Sequence, residues 1–120
     1  MTTETLTPVT PEVVTPIKPS EAIRLGCLIA PIQITGRFFD GRGGACALGA
    51  MALGFGYDGP QIDSESPENS EFSDPYCFVE DRMPGPPGYA RKWTDSIYQL
   101  NDSMDWSRER IADWLAEQGL

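Results

Sequence analysis

The chain has no histidine, and its 9 cations face 18 carboxylates. The first absence removes a Cys–His dyad within one subunit and the imidazole ligands most zinc sites use. The second leaves a net charge of −9. A nucleic-acid backbone is repelled by such a chain, so direct nucleic-acid binding is disfavoured, whereas a basic protein surface is tolerated. No apolar run is long enough to cross a bilayer. The opening MTTETLTP lacks the cationic and apolar regions of a secretory leader, and none is expected. Cysteine is sparse: Cys27, Cys46 and Cys77 are odd in number, widely spaced and without a C-x-x-C pair. That pattern fits reduced thiols in the cytoplasm, or in a particle assembled there, better than a disulfide framework. Three scattered thiols would also need a carboxylate as fourth zinc ligand, so neither a metal nor another cofactor is expected.

Residues 1–19, MTTETLTPVTPEVVTPIKP, hold six threonines, four prolines and no aromatic residue. Proline interrupts helix and central strand alike, and so little apolar bulk does not offset the entropy of ordering a chain. An extended arm is expected, disordered unless a partner holds it. Pro8, Pro11, Val13, Val14, Pro16, Ile17 and Pro19 are its candidate partner-binding residues. Residues 20–120 then form a small domain, with an acidic loop at 61–82. Between 61 and 90, Asp63, Glu65, Glu68, Glu71, Asp74, Glu80 and Asp81 oppose Arg82 alone. The stretch from Asp63 to Asp74 is not a calcium loop, because Pro67 occupies a ligand position and the required glycine is missing. The P-x-x-P spacing of Pro84 and Pro87 is too common to mark a partner motif.

The expected architecture is mainly α: a small orthogonal helical domain with a short β-hairpin. Ser20 reads as the N-cap of a first helix, with Glu21 in its first turn and Pro31 as its stop. Ile23, Cys27 and Ala30 share a face that Leu25, Leu28 and Ile29 widen. IQITGRFFDGRGG alternates weakly and suggests the hairpin, with Asp40–Gly41 in its turn. GRGGACALGAMALGFG, residues 41–56, is the most unusual stretch. No residue from Ala45 to Phe55 is charged, and a helix apolar on all sides must be surrounded by protein. Ala45, Gly49 and Leu53 form one stripe, and Cys46, Ala50 and Gly54 the next. Small residues at this spacing let backbones approach closely. Near the end of the chain, Trp93, Ile97, Leu100 and Met104 repeat at helix spacing. Ser107 then caps a second helix with Ile111, Trp114 and Leu115 inward, and Trp106 and Ile111 form a staple around its start. The two helices should fold back on each other, with the three tryptophans closing the core.

Several residues could carry chemistry. Gly43 and Gly44 before a helix, with Arg37 and Arg42 nearby, could seat an anion or nucleotide at the helix N-terminus. Neither G-x-x-x-x-G-K-[ST] nor G-x-G-x-x-G is present, however, and a plain turn accounts for the glycines. Cys46 in a first turn could be an activated thiol. Its alanine and leucine neighbours favour core packing, where burial raises a thiol pKa. Asn101, Asp102 and Asp105 could act as acid–base groups, although capping explains them as well.

ACALGA (45–50) followed by YQLNDSMDWSRERIADWL (98–115) resembles a loose set of short bacterial and phage-borne proteins with no assigned activity. These share a helix, CALGA, a late L-N-D and a W-[ST]-R-E-x-I-A-D-W helix. The likeness covers residues 20–56 and 93–118. It implies a helical fold and nothing catalytic. Relatives often place a histidine after L-N-D and a C-P-x-C in the middle, where this chain has Met104 and only Cys77. Any metal binding those features support is expected to be lost here. The functional expectation is a non-enzymatic interaction protein, an accessory subunit of a larger assembly docking through its arm and acidic surface. The alternative is a small anion or nucleotide binder at Gly43–Gly44.

Overall fold

The computed structural model describes residues 17–59, 61, 74–84 and 89–120. Most of the arm, including Pro8, Pro11, Val13, Val14 and Pro16, and most of the acidic loop lie outside them. The described chain is mainly helical: α1 (Pro19–Ile29), β1 (Ile32–Gln33), β2 (Gly44–Ala45), α2 (Ala47–Gly54), α3 (Asp74–Glu80), α4 (Tyr89–Asp102) and α5 (Arg108–Glu117).

Helix α1 starts earlier than its serine suggests. Pro19 takes the first helical position, where a missing N–H costs nothing. The Glu21 carboxylate accepts the Lys18 amide at 3.1 Å. Ser20 is therefore inside the helix, and its amide and Oγ donate to the Leu120 carbonyl at 3.2 and 3.1 Å, tying the chain's last residue to α1. Two assigned arm residues, Ile17 and Pro19, belong to the domain: Ile17 packs on the core and Pro19 is buried. The buried face of α1 is Ala22, Ile23, Gly26 and Ala30, whereas Leu25, Leu28 and Ile29 point to solvent. This corrects the wide apolar face, and the cause is close packing. A Cβ on Gly26 would lie 1.8 Å from the Ala50 carbonyl oxygen of α2. One on Gly54 of α2 would lie 1.7 Å from the Ala22 carbonyl oxygen. Two backbones this close leave the seam to small residues, and the large ones fall outside it.

Helix α2 is buried from Ala47 to Leu53, as its lack of charge requires. Around it pack α1, α3 and α4, and α5 packs on α1. The strands are not a simple hairpin. β1 pairs with β2 in parallel, Ile32 opposite Gly44 and Gln33 opposite Ala45. The antiparallel part is a bridge between Phe39 and Ala45 on the other side of β2. The chain from 34 to 43 loops over to place Phe38 and Phe39 in the core, so the Asp40–Gly41 turn survives while the strand order changes.

The acidic stretch is also not loop throughout, since Asp74–Glu80 is helical. Tyr76 and Val79 insert into the core, and the Tyr76 hydroxyl shares a 3.1 Å hydrogen bond with Thr94 Oγ1 of α4. Helix α4 stops at Asp102, leaving Met104 61 % exposed instead of on the buried face. Ser107 caps α5 as expected, accepting the Arg110 amide at 3.1 Å. Ile111 and Leu115 are fully buried, and Gly119 ends the helix at φ 85°. Trp93 and Trp114 meet with ring centroids 5.8 Å apart, while Trp106 instead carries the Arg110 guanidinium 3.9 Å above its ring.

Candidate functional site

The glycine turn is organised around a carboxylate of its own. Asp40 Oδ1 accepts the amides of Arg42 and Gly44 at 2.8 and 2.9 Å, and these bonds hold the carboxyl below its usual range. Gly41 and Gly43 sit at φ 76° and 87°, the left-handed conformation glycine tolerates. Gly44 opens β2, because its pairing with Ile32 extends the backbone there, so α2 begins only at Ala47. Gly43 and Gly44 thus precede the Cys46 N-cap of α2 without forming it, in the same turn as Arg42 and after Arg37 in the chain, and the Arg42 and Gly44 amides already serve Asp40.

The α2 start is equally occupied. Cys46 is its N-cap: Sγ accepts the Gly49 amide at 3.4 Å and its carbonyl accepts that of Ala50 at 2.8 Å. Asn101 Oδ1 accepts the Ala47 amide at 3.1 Å. A thiol-enzyme reading of Cys46 meets the same geometry. The side chain is 1 % exposed, and burial pushes its pKa up to about 12, against the lowering effect of the Gly49 bond. Cys27 and Cys77 are also raised, chiefly by burial. Cys46 in the native protein at pH 7.5 is therefore expected to resist iodoacetamide at least 100-fold longer than a free thiol (on the order set by its small thiolate fraction and the rarity of opening) and to react promptly in urea. Mass-spectrometric counting of alkylated Cys46 checks this; labelling at the free-thiol rate without denaturant would refute the buried assignment.

A polar junction joins the end of α1 to β1, β2, α2, α4 and α5. Asn101, fully buried at the end of α4, accepts Gln33 Nε2 at 3.0 Å besides the Ala47 amide. Its Nδ2 donates to the Ile34 carbonyl at 2.9 Å and to Asp102 Oδ1 at 2.7 Å. Every donor and acceptor of this amide is satisfied. The other oxygen of Asp102 takes the Gly36 amide at 3.1 Å. Gln33 bridges onward, donating to the Trp106 carbonyl at 2.8 Å and accepting the Arg108 amide at 3.1 Å. Arg108, 3 % exposed, donates from Nη1 to Ala30 O at 2.7 Å and Ala45 O at 3.2 Å, and from Nη2 to Pro31 O at 2.8 Å. Two of these carbonyls lie just past the last turn of α1, where the negative end of the helix dipole favours a cation.

This arrangement does structural chemistry. Asn101 and Asp102, candidates for acid–base work, are engaged with backbone and with each other. Asp105 is exposed and sits at φ 55° in the turn between α4 and α5. Among the described residues, no group of three or more His, Cys, Asp or Glu is placed to hold a metal ion, and no helix is long and apolar enough to cross a membrane. Gln33 and Arg108 carried no signal in the sequence. An arginine at the first position of a capped helix reads as solvent-exposed, and only the α1–β1 turn folding under α5 makes it a core residue.

The chain matches no family model, no curated protein and no solved structure. Its surface therefore has to speak for its function. Among the described residues the exposed large apolar side chains are Leu25 at 44 %, Leu28 at 80 % and Ile29 at 54 % on α1, Ile32 at 56 % and, apart from them in the chain, Met104. Isolated exposed leucines are ordinary, but large apolar side chains at positions i, i+3 and i+4 of one helix form a patch of the kind that marks contact surfaces.

Proposed function

We propose that this is a non-enzymatic interaction protein, an accessory subunit that docks on a protein partner through its N-terminal arm and acidic surface. The observation that supports it is the contrast between inside and outside. The Asp40 carboxylate, the Cys46 cap and Asn101 are engaged in hydrogen bonds within the fold, while Leu25, Leu28 and Ile29 stand in solvent on the helix that the arm leads into. An extended, proline-rich segment has little ordering entropy left to lose on binding. A surplus of carboxylates favours a basic counterpart.

The experiment removes residues 2–16 and retains Ile17 and Pro19, which pack in the domain. Association with the native partner should be lost while the melting temperature moves by less than about 2 °C, since no described core residue is removed. The complex of the full chain should weaken as salt rises, as screened charge attraction does. Undiminished association after the deletion would sink this reading.

A further inference from the structure

We infer that α1 and α5 together form a docking surface for a basic amphipathic helix of a protein partner. The two helices run antiparallel: Leu120 meets Ser20, Asp113 meets Arg24, and the Cys27 thiol donates to the Glu109 carboxylate. In this register Glu109, Asp113 and Glu117, exposed and four residues apart, line the side of α5 that borders α1. Leu25, Leu28 and Ile29 stand exposed on α1, and Ile32 follows them in the chain. Leu28 lies one turn beyond Arg24 and next to it on the helix surface. The surface thus grades from an acidic rail on α5, through Arg24 and Cys27, to an apolar row on α1. Glu21, one turn before Leu25, adds a further exposed carboxylate.

Charge selects the occupant. Of the exposed cations on these two helices, Arg24 is paired with Asp113 and Arg110 lies over the Trp106 ring, so the rail keeps a negative excess. A partner helix whose apolar face covers Leu25, Leu28 and Ile29 can extend lysine or arginine from its edge to Glu109 and Glu117, the aliphatic stems lying over Cys27. A second copy of this chain brings the same rail and a net charge of −9, so it is repelled. An anionic membrane is disfavoured for the same reason. The inference rests on the proposed reading of a basic protein partner and gives that partner a surface. Deletion of residues 2–16 leaves α1 and α5 in place, so the two can fail separately.

The test is an NMR titration of the full chain with a synthetic helix of about 15 residues, leucine on one face and lysine on the other. Amide shifts are expected to centre on α1 and α5. Leu28→Asp, at a site 80 % exposed and with the melting curve as a check on the fold, should weaken binding at least about tenfold although it adds a negative charge. Glu109→Gln with Glu117→Gln should weaken it about fivefold. Asp81→Asn with Asp95→Asn, exposed carboxylates just past α3 and on α4, should change it by less than about twofold. Equal binding of a peptide with glutamate in place of every lysine would overturn the inference. Equal losses from the two pairs of charge variants, or no shift at about 1 mM peptide, would do the same. So would co-sedimentation with phosphatidylcholine vesicles, which assigns the row to a membrane, or a self-association that Leu28→Asp abolishes, which assigns it to a second copy.

Discussion

Gly54→Ala is expected to destabilise the protein by about 3 kcal/mol, although helix propensity alone makes alanine the better residue by about 1 kcal/mol. The sign is decided by the seam between α1 and α2. The added methyl would stand 1.7 Å from the Ala22 carbonyl oxygen, a backbone atom that no side-chain rotation removes. The helices would have to separate, loosening contacts along their length in a core that packs as densely as a crystal. Gly26→Ala should cost a similar amount, because its methyl would meet the Ala50 carbonyl oxygen at 1.8 Å. The double variant should lose less than the sum, since one separation relieves both clashes. Gly43→Ala is the control. Nothing lies within 4 Å of its added carbon, and the penalty comes from φ +87° alone, about 1 kcal/mol. Urea titration of the four variants measures all of this. A Gly54→Ala protein as stable as the parent would mean that the seam is looser than described.

Arg108→Met should have the other large effect, a loss of about 3–5 kcal/mol. A small domain of this kind has roughly 5–10 kcal/mol in all, so the variant should be largely unfolded at 37 °C. Methionine fills much of the volume but leaves the Ala30 and Pro31 carbonyls without the donors they have now. Arg108→Lys separates charge from shape. An ammonium keeps the cation at the end of α1 but is a single point, whereas the guanidinium fork reaches Ala30, Pro31 and Ala45 from two nitrogens. Less than half of the loss should be recovered, read as the shift in urea midpoint at constant slope. Full recovery by lysine would show that charge, and not the fork, is what the junction requires.

Much of the framework is legible in local sequence because its causes are local. A charge-free stretch with small residues four apart has to be interior, and α2 is. A serine before an apolar-periodic run, with a glycine after it, bounds a helix, and α5 runs between Ser107 and Gly119. The burial of Cys46 follows from its alanine and leucine neighbours.

What only the tertiary structure decided are the questions in which two segments compete for one place. Leu25, Leu28 and Ile29 have core-forming side chains, yet the glycines of the α1–α2 seam bring two backbones so close that these three are turned outward. Ser20 has the chemistry of an N-cap, but Leu120 arrives beside it and takes its hydrogen bonds. Gly44 could begin a helix until Ile32 pairs with it and makes it a strand. Gln33, Asn101 and Arg108 are far apart in the chain and individually ordinary. Their roles exist only because buried backbone groups at the ends of α1 and α2 must find partners, and the fold carries these side chains to them.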